Sequence, residues 1–232
     1  LSLFPYHFGE NNVLQKRWES LKGRTYPRHD LKSAIQDFMD PFGLTPEIEQ
    51  SLHKLENTDA TVIIGGQQAG LLGGPLYTIH KIIALIKHAQ LAEIELGKPV
   101  VPVFWIAGED HDYDEVNHVF IRNQFKWSKS VYPEKLLQKK MVSEIPLNQA
   151  VSTKWVKEVL RLYGETPYTA KLESILNSCI QQAKTFTEFF TAFIHFLFKD
   201  YGLLLIDACH PTLRKLEQPL FVKIVEEGHQ IA

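Results

Sequence analysis

Cysteine is nearly absent: the 232 residues contain two, Cys179 and Cys209. They stand too far apart for a CxxC redox pair or a zinc knuckle and are too few for a secreted disulfide framework, so a reducing cytoplasm is the compartment they suit. Long apolar runs are missing as well. The longest, Val100 to Ala107 and Leu203 to Ala208, are strand length against the roughly 18–20 residues of a membrane span, which excludes a membrane helix. No basic block stands out among 25 Lys and Arg against 27 Asp and Glu, and the formal charge is -2. Without a basic track for a phosphate backbone, nucleic acid is excluded as the main partner. The chain opens without Met or a cleavable apolar leader and stops at Gln230-Ile231-Ala232 inside a helical pattern, so it reads as a fragment of a longer protein.

What is present is ordinary globular composition, 44% hydrophobic and 22% charged. Residues 1–59 read as a helical lead-in, with Thr45 as N-cap, Pro46 at the first helical position and a helix ending near Asn57. Ala60-Thr61-Val62-Ile63-Ile64 lacks alternation, which predicts a strand covered on both faces. Gly65 to Gly74 reads as a loop of ten residues with five glycines. A helix follows from Pro75 to Leu96, with Leu76, Ile79, Ile83, Ile86 and Gln90 on one face, Ile82, Leu85 and Ala89 beside it, and Gly97 as its stop. Val100 to Ala107 is a second buried strand, so the unit is strand, helix, strand with a right-handed parallel connection. The fold class is α/β with a parallel sheet, and ligands are expected at its carboxyl edge. Residues 60–123 form the first part of that core, 124–184 an inserted connective segment, and 185–232 its continuation. In this last part a helix over Phe186 to Phe198 leads to a third strand, Leu203 to Ala208, with Asp207, His210 and Pro211 at its end.

Two segments carry chemistry. The glycine loop entering a helix suits an anion, because backbone N–H groups crowd round it and the helix end adds partial positive charge. Its spacing is neither Walker A nor Gly-x-Gly-x-x-Gly. A tight packing loop with positive φ angles is the alternative, against which Gln67 and Gln68 supply side-chain hydrogen-bonding groups that packing does not require. Lys81 is placed either to reach back to the anion or to lie solvated on the helix. The second segment, Glu109-Asp110-His111-Asp112-Tyr113-Asp114-Glu115 with Asn117 and His118, surrounds one imidazole with five carboxylates. Such a group could act as a general base, hold a substrate ammonium, or bind a divalent cation through His111, His118 and Asp110 or Asp112. Repulsion is expected to raise at least one carboxylate pKa, and helix capping by Asp110 or Asp112 is the structural alternative. Cys209 beside His210 is the weaker nucleophile candidate.

Together these segments carry a resemblance. Gly65-Gly66-Gln67-Gln68-Ala69-Gly70-Leu71 with Gly74-Pro75-Leu76-Tyr77-Thr78, then Pro102-Val103-Phe104-Trp105, Glu109-Asp110-His111-Asp112 and Glu115-Val116-Asn117-His118, closely resemble the bacillithiol synthase family, the cysteine-adding enzymes of bacillithiol biosynthesis. The resemblance implies a Rossmann-like core akin to class I synthetases, a C-terminal coiled coil, and a homodimer at full length. It implies a ligase reaction joining the small molecules L-cysteine and glucosaminyl-malate; against it stand a non-catalytic Rossmann-like module binding a nucleotide or small acid, and a metal-dependent hydrolase using the acidic cluster. Asp110, His111 and Asp112 are the expected catalytic residues. Gly66, Gln67, Gln68, Gly73, Gly74, Tyr77, Thr78, Lys81, Trp105, Glu109, Asn117 and His118 are expected to bind substrate or nucleotide. The synthetase-type His-x-Gly-His element is replaced by Gly73-Gly74-Pro75-Leu76-Tyr77-Thr78, and Lys140-Met141-Val142-Ser143 only echoes the second phosphate clamp. ATP use is thus a hypothesis, and no metal is assigned.

Overall fold

The computed structural model describes residue 6, residues 10–123 and residues 126–228; the reading of Gln230 to Ala232 as helix and the boundary at Gln124 fall outside them. Three helices lead in: α1 (Val13–Leu21), α2 (Arg28–Met39) and α3 (Pro46–Glu56). Thr45 caps α3 as its position predicts, accepting from the Ile48 N–H, and its own hydroxyl donates to the Lys199 carbonyl at 2.8 Å. The Arg28 guanidinium donates to the carbonyls of Leu55, Thr58 and Ala60, tying the end of α3 to the start of the sheet.

Strand β1 (Thr61–Gln67) is followed by α4 (Leu76–Leu96) and β2 (Val100–Ile106), and much later by β5 (Leu204–Asp207). All three pair in parallel in the order β1-β2-β5. The predicted α/β class and strand-helix-strand unit are therefore observed, and Gly97 ends α4 at φ +60°. Two details differ from the sequence reading. Val62 and Ile64 are 43% and 57% exposed, so β1 is covered on one face and not on both; it is an edge strand, and α4 packs on the side of Ile63 and Gly65. The buried side of α4 is Thr78, Ile82, Leu85, Ile86, Ala89 and Ala92, while Leu76 and Ile83 are exposed, because the helix lies on β1 and β2 through the neighbouring stripe.

Between β2 and β5 the chain builds the short α5 (Tyr113–Val116), a hairpin of β3 (His118–Asn123) and β4 (Lys126–Val131), and the helices α6 (Gln149–Tyr163), α7 (Thr169–Gln182) and α8 (Phe186–Phe198). Helix α8 matches its predicted span, with Thr185 capping it through the Glu188 N–H. Its Phe186, Phe189, Phe190 and Ile194 are buried in one core with Phe104, Ile106 and Leu205, so α8 joins the sheet to α6 and α7. Helix α9 (Pro211–Glu227) follows β5. No helix among the described residues is long and apolar enough to cross a membrane.

Candidate active site

Gln67, Ile106 and Asp207 are register partners, so all three strands end level and their following turns share one edge. The glycine segment is shorter as a loop than its composition predicts. Gly65, Gly66 and Gln67 continue β1, because extended backbone lets Gly66 lie against the Trp105 carbonyl, which a Cβ would approach to 2.8 Å. Beyond it the chain folds tightly: Gly73 and Gly74 have φ of +87° and +70°, and Gly70 rests on the Gly74 backbone. Packing thus explains those glycines, as the structural alternative anticipated. What it leaves unexplained is the Thr78 hydroxyl, which is fully buried beside Gly74 and has no hydrogen-bond partner among the described residues.

The two glutamines do different things. Gln67 donates to the Tyr77 hydroxyl at 3.2 Å and accepts from the Lys81 ammonium at 2.8 Å, which also reaches the Gly66 carbonyl. Lys81 therefore does fold back onto the loop. Gln68 crosses to the end of β2, and its amide nitrogen donates to both the Asp110 and Glu115 carboxylates. Asp110 also accepts from the backbone N–H groups of His111 and Asp112. The Gln68 amide, aided by these backbone bonds, holds the Asp110 carboxyl below its usual range despite partial burial. The expected rise through repulsion fails here, because an amide donor stands between the carboxylates.

The remaining expected residues are placed unevenly. Glu109, His111 and Asp112 are exposed on the turn after β2. Asn117 is buried as a joint: its amide donates to Asp114 and its carbonyl accepts from the Tyr132 N–H. His118 opens β3, packs edge-on against Phe120, and has its pKa lowered by burial and by Lys129. The segment from His111 to His118 is not one helix, so the two imidazoles do not share a helical face. Among the described residues no group of three or more His, Cys, Asp or Glu is arranged to hold a metal. A cavity of about 540 Å³ opens beside this edge, lined by Gly74, Pro75, Glu115, His118, Phe120 and Tyr163. Burial pushes the Cys179 thiol up to about 11 and raises that of Cys209, so neither is an activated nucleophile.

A second cluster was not singled out as a site by the sequence. Asp207, 6% exposed, accepts from the Ser143 hydroxyl at 2.8 Å and the Cys209 N–H at 2.9 Å. Ser143 and Val142 in turn donate their N–H groups to the carbonyls of Gly108 and Asp110. The echo sequence Lys140 to Ser143 is thus a strap that fixes the acidic turn. Its signal was a glycine two residues beyond β2 and an aspartate closing the neighbouring β5. Burial pushes the Asp207 carboxyl above its ordinary value, against the bonds from Cys209 and Ser143. A raised acid pKa favours the folded state when protonated, so this contribution is present below the unfolded value of about 3.9 and is lost as pH rises through the folded one. Asp207→Asn should therefore flatten the fall in denaturation midpoint as pH rises above about 4. An unchanged slope would show that Asp207 does not set it.

Comparison with known proteins follows the same outline. Residues 1–232 match the family described as bacillithiol biosynthesis BshC, N-terminal Rossmann-like domain. A relative from Geobacillus sp. (strain WCH70), named "Putative cysteine ligase BshC", is 43% identical over 96% of this chain and 41% of its own length. Relatives of the same name from Lysinibacillus sphaericus and Bacillus cereus (strain AH187) are 41% and 38% identical over 99% of this chain, covering 42% and 43% of theirs. The chain spans about two fifths of the length of these relatives. With the match covering the parallel sheet, the glycine segment and the acidic turn alike, the chain belongs to the bacillithiol-biosynthesis BshC family and corresponds to its N-terminal Rossmann-like domain.

Proposed function

We propose that this domain carries reacting groups of a ligase that joins L-cysteine to glucosaminyl-malate through an amide bond, forming bacillithiol at full length in the cytoplasm. The observation that supports this reading most is the Gln68 amide gripping Asp110 and Glu115 across the ends of β1 and β2. It keeps Asp110 ionised and faces it toward the edge where α/β sheets bind ligands. An ionised, oriented carboxylate is suited to the ammonium of cysteine and is a poor proton acceptor, which leaves the proton of the attacking amine to the exposed imidazole of His111.

Amide formation from a carboxylate needs activation of that carboxylate. ATP would supply it by transferring its AMP group to that carboxylate with release of pyrophosphate, AMP then being displaced by the amine. The donor set at α4 fits an anion of this kind. The N–H groups of Leu76 and Tyr77 have no acceptor within the helix, and the buried Thr78 hydroxyl lies unpartnered beside Gly74. Lys81 braces Gln67 and the Gly66 carbonyl, so its part is to hold the loop open rather than to stand free.

The test is a thiol profile of cells lacking the full-length protein. Accumulated glucosaminyl-malate with no bacillithiol is expected, whereas unchanged bacillithiol would remove the proposal. Cysteine-dependent exchange of pyrophosphate into ATP should accompany the active full-length enzyme, and its absence would remove the adenylate step alone.

A further inference from the structure

Gln67 closes β1 and Gln68 follows it, and their side-chain amides are fixed in opposite senses. An ammonium carries donors only, so the Gln67 atom that meets Lys81 at 2.8 Å is its carbonyl oxygen. The same ammonium is anchored on the Gly66 carbonyl at 3.1 Å and lies 5.8 Å from the centre of the Tyr77 ring. With its oxygen taken, Gln67 turns its amide nitrogen to the Tyr77 hydroxyl, to which it donates at 3.2 Å. Gln68 is held the other way round, since the Asp110 and Glu115 carboxylates take its nitrogen. The three bonds from Lys81 through Gln67 to Tyr77 therefore run in one direction, each polarising the next. A phenol has one proton. The Tyr77 oxygen accepts from Gln67, and its proton has no acceptor among the described residues. Tyr77 is 51% exposed, so that proton faces outward at the carboxyl edge of the sheet.

We propose that the Tyr77 hydroxyl recognises an anionic oxygen of a substrate at this edge, and that Lys81 and Gln67 are positioning residues that keep it a donor. A hydroxyl free to rotate serves water equally well as donor or acceptor. A carboxylate or a phosphate has no proton to return, so only the donor orientation serves it, and that is the orientation the chain from Lys81 imposes. The surroundings have the matching sign. The first turn of α4 holds no acidic residue, and its Leu76 and Tyr77 N–H groups lack acceptors within the helix. A role in packing alone would need neither the exposed ring nor the one-way chain behind it. The source of the anion rests on the proposed function: a carboxylate of glucosaminyl-malate or cysteine, or a phosphate of ATP.

Equilibrium binding to the full-length protein tests this, with L-malate as the carboxylate probe and ATP as the phosphate probe. Tyr77→Phe should weaken at least one of them by about 10–100-fold, the loss expected for one hydrogen bond to a charged group, with the denaturation midpoint held. The probe that loses affinity names the source of the anion. Gln67→Glu tests the direction of the chain. The introduced carboxylate only accepts, so it keeps the Lys81 contact and draws the Tyr77 proton inward. The same probe should lose affinity by a similar factor, and the double variant should fall no more than about threefold below either single one. Three results overturn the proposal: wild-type affinity of Tyr77→Phe for both probes, no binding of either probe to the unaltered protein, or a Gln67→Glu factor that is undiminished in the Tyr77→Phe background. The last would reduce the effect to charge repulsion. Binding is read and not turnover, so failure of the ligase reading in the thiol profile and failure of this inference are separate results.

Discussion

Gly108→Ala should dismantle the acidic turn while leaving most of the sheet in place. A Cβ on Gly108 would lie 2.0 Å from the Ser143 hydroxyl oxygen and 2.2 Å from a carboxylate oxygen of Asp207. Neither neighbour is the free end of a flexible chain. Ser143 is held by its own N–H on the Gly108 carbonyl, and Asp207 is held by the Cys209 N–H at the end of β5. The added methyl group must therefore push the strap off the turn or the turn off the sheet. Overpacking of this kind costs about 1–3 kcal/mol. The Val142 bond to the Asp110 carbonyl would go with it, so His111 and Asp112 would lose their fixed backbone. A displacement of about 1 Å at reacting groups is enough for about a 100-fold loss of rate. The expected result is a folded protein with a lowered denaturation midpoint and at least that loss of ligase turnover. Wild-type turnover with a lowered midpoint would separate the strap from the site and leave it a purely structural role.

Legibility in the sequence followed the range of the interactions. Helix α8, the cap at Thr45 and the stop at Gly97 were readable because each depends on neighbours within one turn. The parallel order of β1 and β2 followed from the length of the connection. The exposure of β1 was not readable, since an apolar run has the same pattern whether a second element covers it or not. The same limit applies to the site. The glycine segment and the acidic turn stood out by composition, but Gln68 spanning from one to the other depends on two strands ending level. Glu115 gained its place only through that contact. Asp207 and Ser143 are 64 residues apart, and nothing local in either segment announces the bond.

Turnover and substrate binding should separate when the two sides of the Gln68 contact are altered. In the full-length protein, His111→Ala removes the group to which the proposal gives the proton of the attacking amine and leaves the contacts proposed for cysteine intact. The expected loss in kcat is about 10²–10⁴, the range for a missing general base, with the KM for cysteine little changed. His111 is exposed, so the denaturation midpoint should also hold. Gln68→Ala acts on the other parameter. It withdraws the donor that chiefly keeps the Asp110 pKa low, and it leaves Asp110 and Glu115 facing each other without the amide between them. The Asp110 pKa should then rise. A carboxylate with a depressed pKa stays ionised as pH falls until that low value is reached, so losing the depression brings protonation in at a higher pH. The acid limb of cysteine binding, which reports Asp110, should therefore move upward in pH in Gln68→Ala, whereas His111→Ala should remove from kcat/KM the limb that reports the base itself. If Gln68→Ala instead loses kcat alone, with the pH dependence of cysteine binding unmoved, Asp110 does not bind the cysteine ammonium. If neither variant changes turnover, the chemistry lies outside this domain, and the contact that joins β1 to β2 serves the fold.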